Sequence, residues 1–264
     1  MSQNSQALPK PKLARKIKVL IWSAAILLVL LLTLAIVYQI MVYPPTAEAK
    51  AAMKSDKQVT VSIGQAGYRF EPAEGEKAII QPNVILYPGG LVDPKSYAPV
   101  ARKLAEAGHR VYIASMPLNL AFTGQNKADA FIAEHPEDRY VIGGHSLGGV
   151  FASRYAVEHL NQIDGVFYFA AYADEAGSLA DAKFPVLQMT ASNDGVLSWE
   201  DWGKGKRFMP SQTQYVTIDG GNHGQFGSYG VQKGDKPARI TPQEQLDQVS
   251  GELLGWMNSI QAEQ

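Results

Sequence analysis

The chain contains no cysteine, so it has no disulfide bond, no thiolate metal site and no cysteine nucleophile. The absence of cysteine does not indicate the cellular compartment, because many exported bacterial proteins also have no cysteine. Neither sign of charge is in excess: the formal net charge is −1, and basic residues are scattered through the downstream region. This balance does not indicate a nucleic-acid-binding surface. The sequence also lacks a His-Glu-x-x-His zinc motif and internal repeats, which leaves an ordinary globular protein with an N-terminal attachment.

The attachment is an uncharged apolar run from Val19 to Met41, long enough to cross a bilayer as a helix. The basic residues that precede it are Lys10, Lys12, Arg15, Lys16 and Lys18. By the positive-inside rule these charges keep the N-terminus in the cytoplasm and send the rest of the chain across the membrane. We therefore predict a basic cytoplasmic segment over residues 1–18, a transmembrane signal anchor over residues 19–42 and an extracytoplasmic domain at the cell membrane.

Two other interpretations of this run are open. A cleaved signal peptide would use Ala47-Glu48-Ala49 as its cleavage site, although the apolar core of such peptides is usually only about 7 to 15 residues long. A buried core helix is disfavoured by the uninterrupted apolar run. The stretch 43–57 opens with Pro44-Pro45 and is rich in alanine and lysine, which predicts a linker before a domain over residues 58–264.

The most informative motif is Gly144-His145-Ser146-Leu147-Gly148, which follows a predicted apolar strand at 139–143 and precedes a helical pattern. This layout is typical of a nucleophile elbow, in which a tight strand-to-helix turn lifts a serine hydroxyl clear of the sheet. Only glycine leaves room for the crossing backbone two residues to either side of the serine. The alternative is a glycine-rich turn with an idle serine. We predict that Ser146 is a nucleophile.

A serine nucleophile needs a base and an orienting acid, and after an elbow of this kind the acid comes first and the histidine second. Asp194 lies in the turn after a predicted strand at 184–190, and His223 lies in a glycine-flanked loop after a predicted strand at 214–218. Both turns fall at the carboxyl edge of a parallel sheet. We predict Asp194 as the acid and His223 as the base. Asp174, which follows another apolar strand, is the alternative acid.

Only five histidines are available, so the base can be chosen by elimination. His109 and His135 precede strands and are therefore expected at the amino edge of the sheet. His159 lies near the end of the helix after the elbow, and His145 is the variable position of the elbow itself. A lone loop histidine is ordinarily a solvated or capping residue, but the position of His223 favours a catalytic role.

Acyl-transfer chemistry also needs N–H donors for the oxyanion that develops in the transition state. One donor is the N–H after the nucleophile, which belongs to Leu147 at the start of a helix. The second is expected after the third predicted strand, 83–87, where Pro88-Gly89-Gly90-Leu91 lets the backbone approach a ligand closely. We place that donor at Leu91 or Gly90. The alternative is an ordinary glycine turn.

From residue 58 onward the sequence resembles the α/β-hydrolase superfamily, and in particular a small bacterial serine-hydrolase branch. The motifs that carry the resemblance are Tyr87-Pro88-Gly89-Gly90, Gly144-His145-Ser146-Leu147-Gly148-Gly149 and Gly221-Asn222-His223-Gly224-Gln225-Phe226-Gly227-Ser228-Tyr229-Gly230. The resemblance implies a three-layer α/β fold with a mostly parallel central sheet. It also implies Ser146, Asp194 and His223 as a triad, and hydrolysis of an ester-like bond with no cofactor and no metal. Dienelactone hydrolase relatives use a cysteine nucleophile, which this chain lacks.

The segment 172–183 occupies the place where larger relatives insert a helical lid, and it is too short to form one. We therefore predict a minimal lid and a small or soluble ester substrate. Trp199, Trp202 and Phe208 follow the acid turn and are expected to pack in the core, with a pocket wall as the alternative.

These residues predict an extracytoplasmic, membrane-tethered serine hydrolase that cleaves a small carboxylic ester or related acyl bond through an acyl-enzyme. An acyltransferase is the runner-up, because transfer to an acceptor other than water uses the same triad. A non-catalytic binding protein on the same fold is disfavoured, because such proteins usually lose a member of the triad.

Overall fold

The computed structural model describes residues 12–262, which fall into two compact units that divide after Val42. The first unit is one helix, α1, Lys12–Met41. Within it, Lys16–Met41 is long and apolar enough to cross a membrane, and the apolar side chains along it are exposed. A helix therefore covers the run that the sequence marks as membrane-spanning. Residues 1–11 of the predicted basic segment lie outside the described range.

The second unit begins at Tyr43 and alternates strands with helices. Its strands are β1 (Val59–Ile63), β2 (Gly67–Pro72), β3 (Asn83–Tyr87), β4 (Val111–Ala114), β5 (Tyr140–His145), β6 (Ile163–Phe169), β7 (Val186–Ala191) and β8 (Gln214–Ile218). Its helices are α2 (Ala47–Ala52), α3 (Ala98–Glu106), α4 (Ala128–Ile132), α5 (Leu147–Glu158), α6 (Trp199–Gly205) and α7 (Pro242–Ala262).

These strands form one sheet in the order β1-β2-β4-β3-β5-β6-β7-β8. The pairs β1–β2 and β2–β4 are antiparallel, and all other neighbours are parallel. β3, β5 and β7 are buried along their whole length, as expected for parallel strands that are covered on both faces. Because β3 and β5 to β8 are parallel, the loops that follow them meet at one edge of the sheet.

Helices cover both faces of the sheet. Buried residues of α3 and α7 belong to one hydrophobic core, and those of α4 and α5 belong to the other. Alternate residues of β3 divide between the two cores, with Val84 and Leu86 on one side and Ile85 and Tyr87 on the other. The result is a three-layer α/β arrangement with a mostly parallel central sheet, which confirms the fold class expected from the sequence.

The connection from β6 to β7 contains only a single 3-10 turn, Glu175–Gly177, and so has no helical lid along its fully described length. The connection from β4 to α4 is more unusual. Leu118 and Phe122 in it are 61% and 58% exposed. Leu118 and Asn119 adopt positive φ values of 53° and 50°. This strained, apolar connection lies beside the loop that follows β3.

The stretch 43–57 differs from the linker expected there. Residues Ala47–Ala52 form α2, in which Ala49 is fully buried. Arg102 of α3 donates a hydrogen bond to the carbonyl oxygen of Ala52 at 3.0 Å. The alanines expected in a linker instead form a helix that is hydrogen-bonded to α3.

Candidate active site

The turn between β5 and α5 places Ser146 at the carboxyl edge of the sheet. Its φ of 51° and ψ of −123° form a conformation that residues with a side chain rarely adopt and that is concentrated at functional sites. A Cβ at Gly144 would lie 2.5 Å from the carbonyl oxygen of Tyr87, and a Cβ at Gly148 would collide with the same oxygen. Glycine at both positions therefore lets the turn pass against the end of β3.

His223 and Asp194 form a buried pair. The side chains are 1% and 0% exposed, on the loops that follow β8 and β7. Oδ2 of Asp194 lies 2.8 Å from Nδ1 of His223. Oδ1 of Asp194 accepts hydrogen bonds from the N–H groups of Val196 and Leu197, each at 2.8 Å. The carboxylate is thus fixed by its own turn and presents one oxygen to the imidazole.

This pairing decides the tautomer of His223. A carboxylate oxygen only accepts hydrogen bonds, so Nδ1 carries a proton, and in the neutral ring Nε2 carries the lone pair. Nε2 is buried and has no hydrogen-bond partner among the described residues, although buried polar atoms are nearly always satisfied. The ring centre of His145, the residue before Ser146, lies 4.5 Å from that of His223. His145 therefore brings the elbow beside the imidazole of His223.

Asp174, the alternative acid, is engaged elsewhere. Its Oδ1 accepts from Nε of Arg154 at 3.2 Å and from the N–H of Gly177 at 3.0 Å, and its Oδ2 accepts from Nη2 of Arg154. Asp174 therefore caps a short turn and forms an ion pair. Of the two candidate acids, Asp194 is the one that contacts His223.

The structure adds His145, which the elbow pattern treats as a variable position. Its side chain is 1% exposed, and its Nδ1 lies 2.8 Å from the hydroxyl oxygen of Tyr97. The same hydroxyl accepts a hydrogen bond from the N–H of Gly89 at 2.9 Å. Burial, together with the positive charge of His223 when it is protonated, lowers the pKa of His145 well below its ordinary value. His145 is therefore a neutral link between the elbow and the loop after β3.

Two aromatic rings complete this environment. The ring centres of Phe226 and Tyr229 lie 5.9 Å and 6.2 Å from that of His145. Both residues belong to the loop that carries His223, three and six positions after it in the sequence. That regular aromatic spacing is the signal by which the cluster around the histidines could have been recognised.

The two expected oxyanion donors after β3 differ in their surroundings. A Cβ at Gly90 would lie 3.6 Å from the Cβ of Leu147, so these two residues are direct neighbours. Among the hydrogen bonds of the described residues, none uses the N–H of Gly90, whereas the N–H of Leu91 donates to the carbonyl oxygen of Asn119 at 2.7 Å. A donor that is already bound is poorly placed to receive an oxyanion. Of the two residues expected to supply the second oxyanion donor, Gly90 is therefore the better placed beside Leu147.

The aromatic residues after the acid turn support it from outside. Nε1 of Trp199 donates to the carbonyl oxygen of Asp194 at 3.3 Å, and the ring centre of Trp199 lies 5.6 Å from that of Trp202. Phe208 packs against one hydrophobic core, as expected. Trp199 is 41% exposed, so it covers the acid turn at the surface instead of filling the core.

The sequence that forms this site matches a known family. Residues 83–247 match the family model described as the alpha/beta hydrolase family. The chain belongs to the alpha/beta hydrolase family. The matched region contains the loop after β3, Ser146, Asp194 and His223. A search of curated proteins gave no match.

Solved structures with the same fold are remote in sequence. Est1E from Butyrivibrio proteoclasticus has a TM-score of 0.56 and 14% identity, over 78% of this chain and 99% of that one. Est1E with ferulic acid bound has a TM-score of 0.54 and 13% identity, over 75% and 95% of the two chains. A predicted CIB-like hydrolase from Thermoplasma acidophilum has a TM-score of 0.52 and 14% identity, over 74% and 98%. At this identity the similarity establishes the fold.

The first prediction separates the two carboxylates. In Asp194→Asn an amide replaces the acceptor at Nδ1 of His223 and favours the wrong tautomer, so we expect acylation to slow by about three to four orders of magnitude. Asp174→Asn, the matched control, changes only the pairing with Arg154, and its rate is expected to equal that of the parent. The measurement is the rate of labelling by a fluorophosphonate probe. An unchanged rate for the Asp194 variant would remove that residue from the site.

The free energy of unfolding of the domain is expected to depend on pH. Burial lowers the pKa of His145 and of His109, whereas an unfolded histidine titrates near about 6.5. Below that pH the unfolded chain binds protons that the folded domain does not. The free energy of unfolding is therefore expected to fall with acidification, by up to about 1.4 kcal/mol per pH unit for each histidine. Urea unfolding between about pH 7.5 and 5.5 measures this slope. His145→Gln is expected to reduce this slope to the part that His109 contributes, and an unchanged slope would contradict the prediction.

Proposed function

We propose that this protein is a serine hydrolase that cleaves a small carboxylic ester or a related acyl bond through an acyl-enzyme. Ser146 is the nucleophile, His223 the general base and Asp194 the residue that orients the base. The N–H groups of Leu147 and Gly90 are the oxyanion donors. The observation that carries the proposal is the buried, unpartnered Nε2 of His223, whose other nitrogen lies 2.8 Å from Asp194 beside the elbow.

The proposed reaction follows from these roles. Oγ of Ser146 attacks the carbonyl carbon of the ester while Nε2 of His223 takes its proton. The carbonyl oxygen becomes an oxyanion, which the two backbone N–H groups stabilise. As this intermediate collapses, the bond to the leaving alkoxide breaks, and the alkoxide receives the proton from His223 and departs as an alcohol. Water then repeats the sequence on the acyl-enzyme and releases a carboxylic acid.

The surroundings of the donors favour a small substrate with an apolar part. The side chains of Leu147 and Leu120 border Gly90, and a Cβ at Gly90 would lie 3.2 Å from the former and 4.0 Å from the latter. The short β6–β7 connection leaves this edge without a helical lid. Est1E, which has the same fold, binds ferulic acid, a small carboxylic acid of the type that the proposed reaction releases.

We further propose that α1 is a single transmembrane anchor, with the N-terminus in the cytoplasm and the hydrolase domain outside. The uncharged run and the preceding basic residues support this orientation. The fold of residues 43–57 favours an anchor over a cleaved signal peptide. Cleavage after Ala49 would remove Thr46, whose N–H donates to Ser228 at 2.8 Å, and would cut α2 at a fully buried residue.

The decisive test of the chemistry is covalent labelling of the full-length chain by a fluorophosphonate probe. We expect stoichiometric labelling of the parent and none of Ser146→Ala, because the probe reacts with an activated serine. Ser153→Ala is a matched control in the helix that follows the elbow, because the Ser153 hydroxyl is buried and donates to the carbonyl oxygen of Val150. It should label like the parent. Labelling of Ser146→Ala would refute the assignment of the nucleophile.

The same variants are then assayed with p-nitrophenyl esters of increasing acyl length. We expect hydrolysis of the short esters by the parent and a decline as the acyl chain grows. An acyltransferase would instead release p-nitrophenol faster when an alcohol or amine acceptor is added. A non-catalytic binding protein would neither label nor turn over.

The location is tested by fractionation of cells that express the full-length chain. We expect the chain in the membrane pellet, resistant to high-salt and carbonate washes, and digested by protease added to intact spheroplasts. A soluble product that begins at Lys50 would show cleavage after Ala49. Protection from external protease would reverse the proposed orientation.

A further inference from the structure

The chain that directly follows α1 lies along the loop after β3. The N–H of Tyr43 donates to the carbonyl oxygen of Leu91 at 2.8 Å, and the carbonyl oxygen of Tyr43 accepts from the N–H of Asp93 at 3.0 Å. These two bonds form a short parallel bridge between Tyr43 and Val92. The loop that contains the proposed donor Gly90 is therefore paired on one side with the chain at Tyr43.

The same short stretch also binds the loop that carries His223. The N–H of Thr46 donates to the carbonyl oxygen of Ser228 at 2.8 Å, and the hydroxyl of Tyr43 accepts from the N–H of Lys233 at 3.3 Å. The ring centre of Tyr43 lies 5.5 Å from that of Tyr229, which is in turn 6.2 Å from His145. Residues 43–46 therefore contact both loops on which the proposed chemistry depends.

We propose that Tyr43 and Thr46 are positioning residues that fix two loops relative to each other. These are the loop after β3, called the oxyanion loop, and the loop that carries His223, called the histidine loop. This proposal rests on the proposed function. Neither residue touches the reacting atoms. Their effect passes through the loop backbones, which carry the donor on one side and the base on the other. We call residues 43–46 the clamp.

The backbone of the oxyanion loop shows why a clamp is needed. Leu91 has a positive φ of 59°, a conformation that a leucine keeps only when its surroundings impose it. Its N–H is held by the carbonyl oxygen of Asn119, and its carbonyl oxygen is held by the N–H of Tyr43. Without the clamp the carbonyl oxygen of Leu91 loses its hydrogen bond, and only the N–H of Leu91 remains bound. Gly90, the residue before it, then loses the alignment that an oxyanion donor requires.

The clamp is tested in the full-length chain with two pairs of variants. Thr46→Pro removes the N–H that reaches Ser228 and suits the φ of −66° at this residue, whereas Thr46→Ala removes only the side-chain cap of α2. Tyr43→Ala removes the ring and its hydroxyl, whereas Tyr43→Phe keeps the ring against Tyr229. Thr46→Pro and Tyr43→Ala therefore break contacts with the histidine loop and keep the backbone bonds of Tyr43 to Leu91 and Asp93. Tyr43→Phe loses only the hydroxyl contact with Lys233.

We expect kcat for p-nitrophenyl acetate to fall by about tenfold or more in Thr46→Pro and Tyr43→Ala, with KM within about twofold of the parent. Both substitutions loosen the loop that carries His223, and a proposed base that acts only in the transition state affects kcat and leaves substrate binding alone. Thr46→Ala and Tyr43→Phe are expected to stay within about twofold of the parent in both constants.

Tyr215→Ala controls for loss of an aromatic side chain, because Tyr215 is 44% exposed and its ring contacts Trp202 and Lys206, neither of which belongs to the two loops. We expect this variant to keep the parental kcat although it also loses an aromatic contact. If Tyr215→Ala loses kcat equally, or if Tyr43→Ala keeps it, the clamp proposal is wrong. A rise in KM alone would also overturn it. If Thr46→Pro does not fold, the Tyr43 pair decides the outcome.

Ser146→Ala separates the two proposals. Activity that survives this substitution would refute the proposed function itself. Activity that depends on Ser146 but is insensitive to every clamp variant would refute only the clamp.

Discussion

The close approach of the turn after β5 to the end of β3 is the constraint on which the rest of the site depends. Gly148 lies against the carbonyl oxygens of Tyr87 and Pro88, with no space for a side chain. This contact brings the first residue of α5 beside Gly90 and forces Ser146 into its positive φ. The proposed nucleophile and both proposed oxyanion donors are therefore placed by one backbone crossing, and none of them can move alone.

Side chains then connect this crossing to the remaining loops. His145 extends from the elbow to Tyr97, whose hydroxyl receives the N–H of Gly89. On its other side His145 packs against Phe226 and Tyr229 of the histidine loop. Four separate stretches of sequence thus share one buried aromatic cluster. Because protein interiors are close-packed, a shift in any of these stretches is transmitted to the others.

Much of this could be predicted from the sequence, for identifiable reasons. Parallel strands buried on both faces appear as apolar runs, and the order serine, aspartate, histidine places the residues of the proposed site. The choice between Asp194 and Asp174 depends on Arg154, a long-range partner that spacing does not reveal. The burial of His145 is equally invisible in a five-residue pattern. Residues 43–57 differ from the expected linker because alanine-rich composition does not indicate whether a neighbouring helix, here α3, is available to cover them.

The pairing of two imidazoles in one buried space limits how much charge the site can hold. Their ring centres are 4.5 Å apart, and burial raises the pKa of Tyr97 beside them, so this phenol stays neutral. Among residues 12–262, Asp194 is the carboxylate that contacts the pair, and one buried negative charge offsets one imidazolium. The cluster therefore accommodates one positive charge. In the proposed reaction that is the charge which the ring of His223 carries after it takes the proton of Ser146 and before it passes that proton to the departing alkoxide.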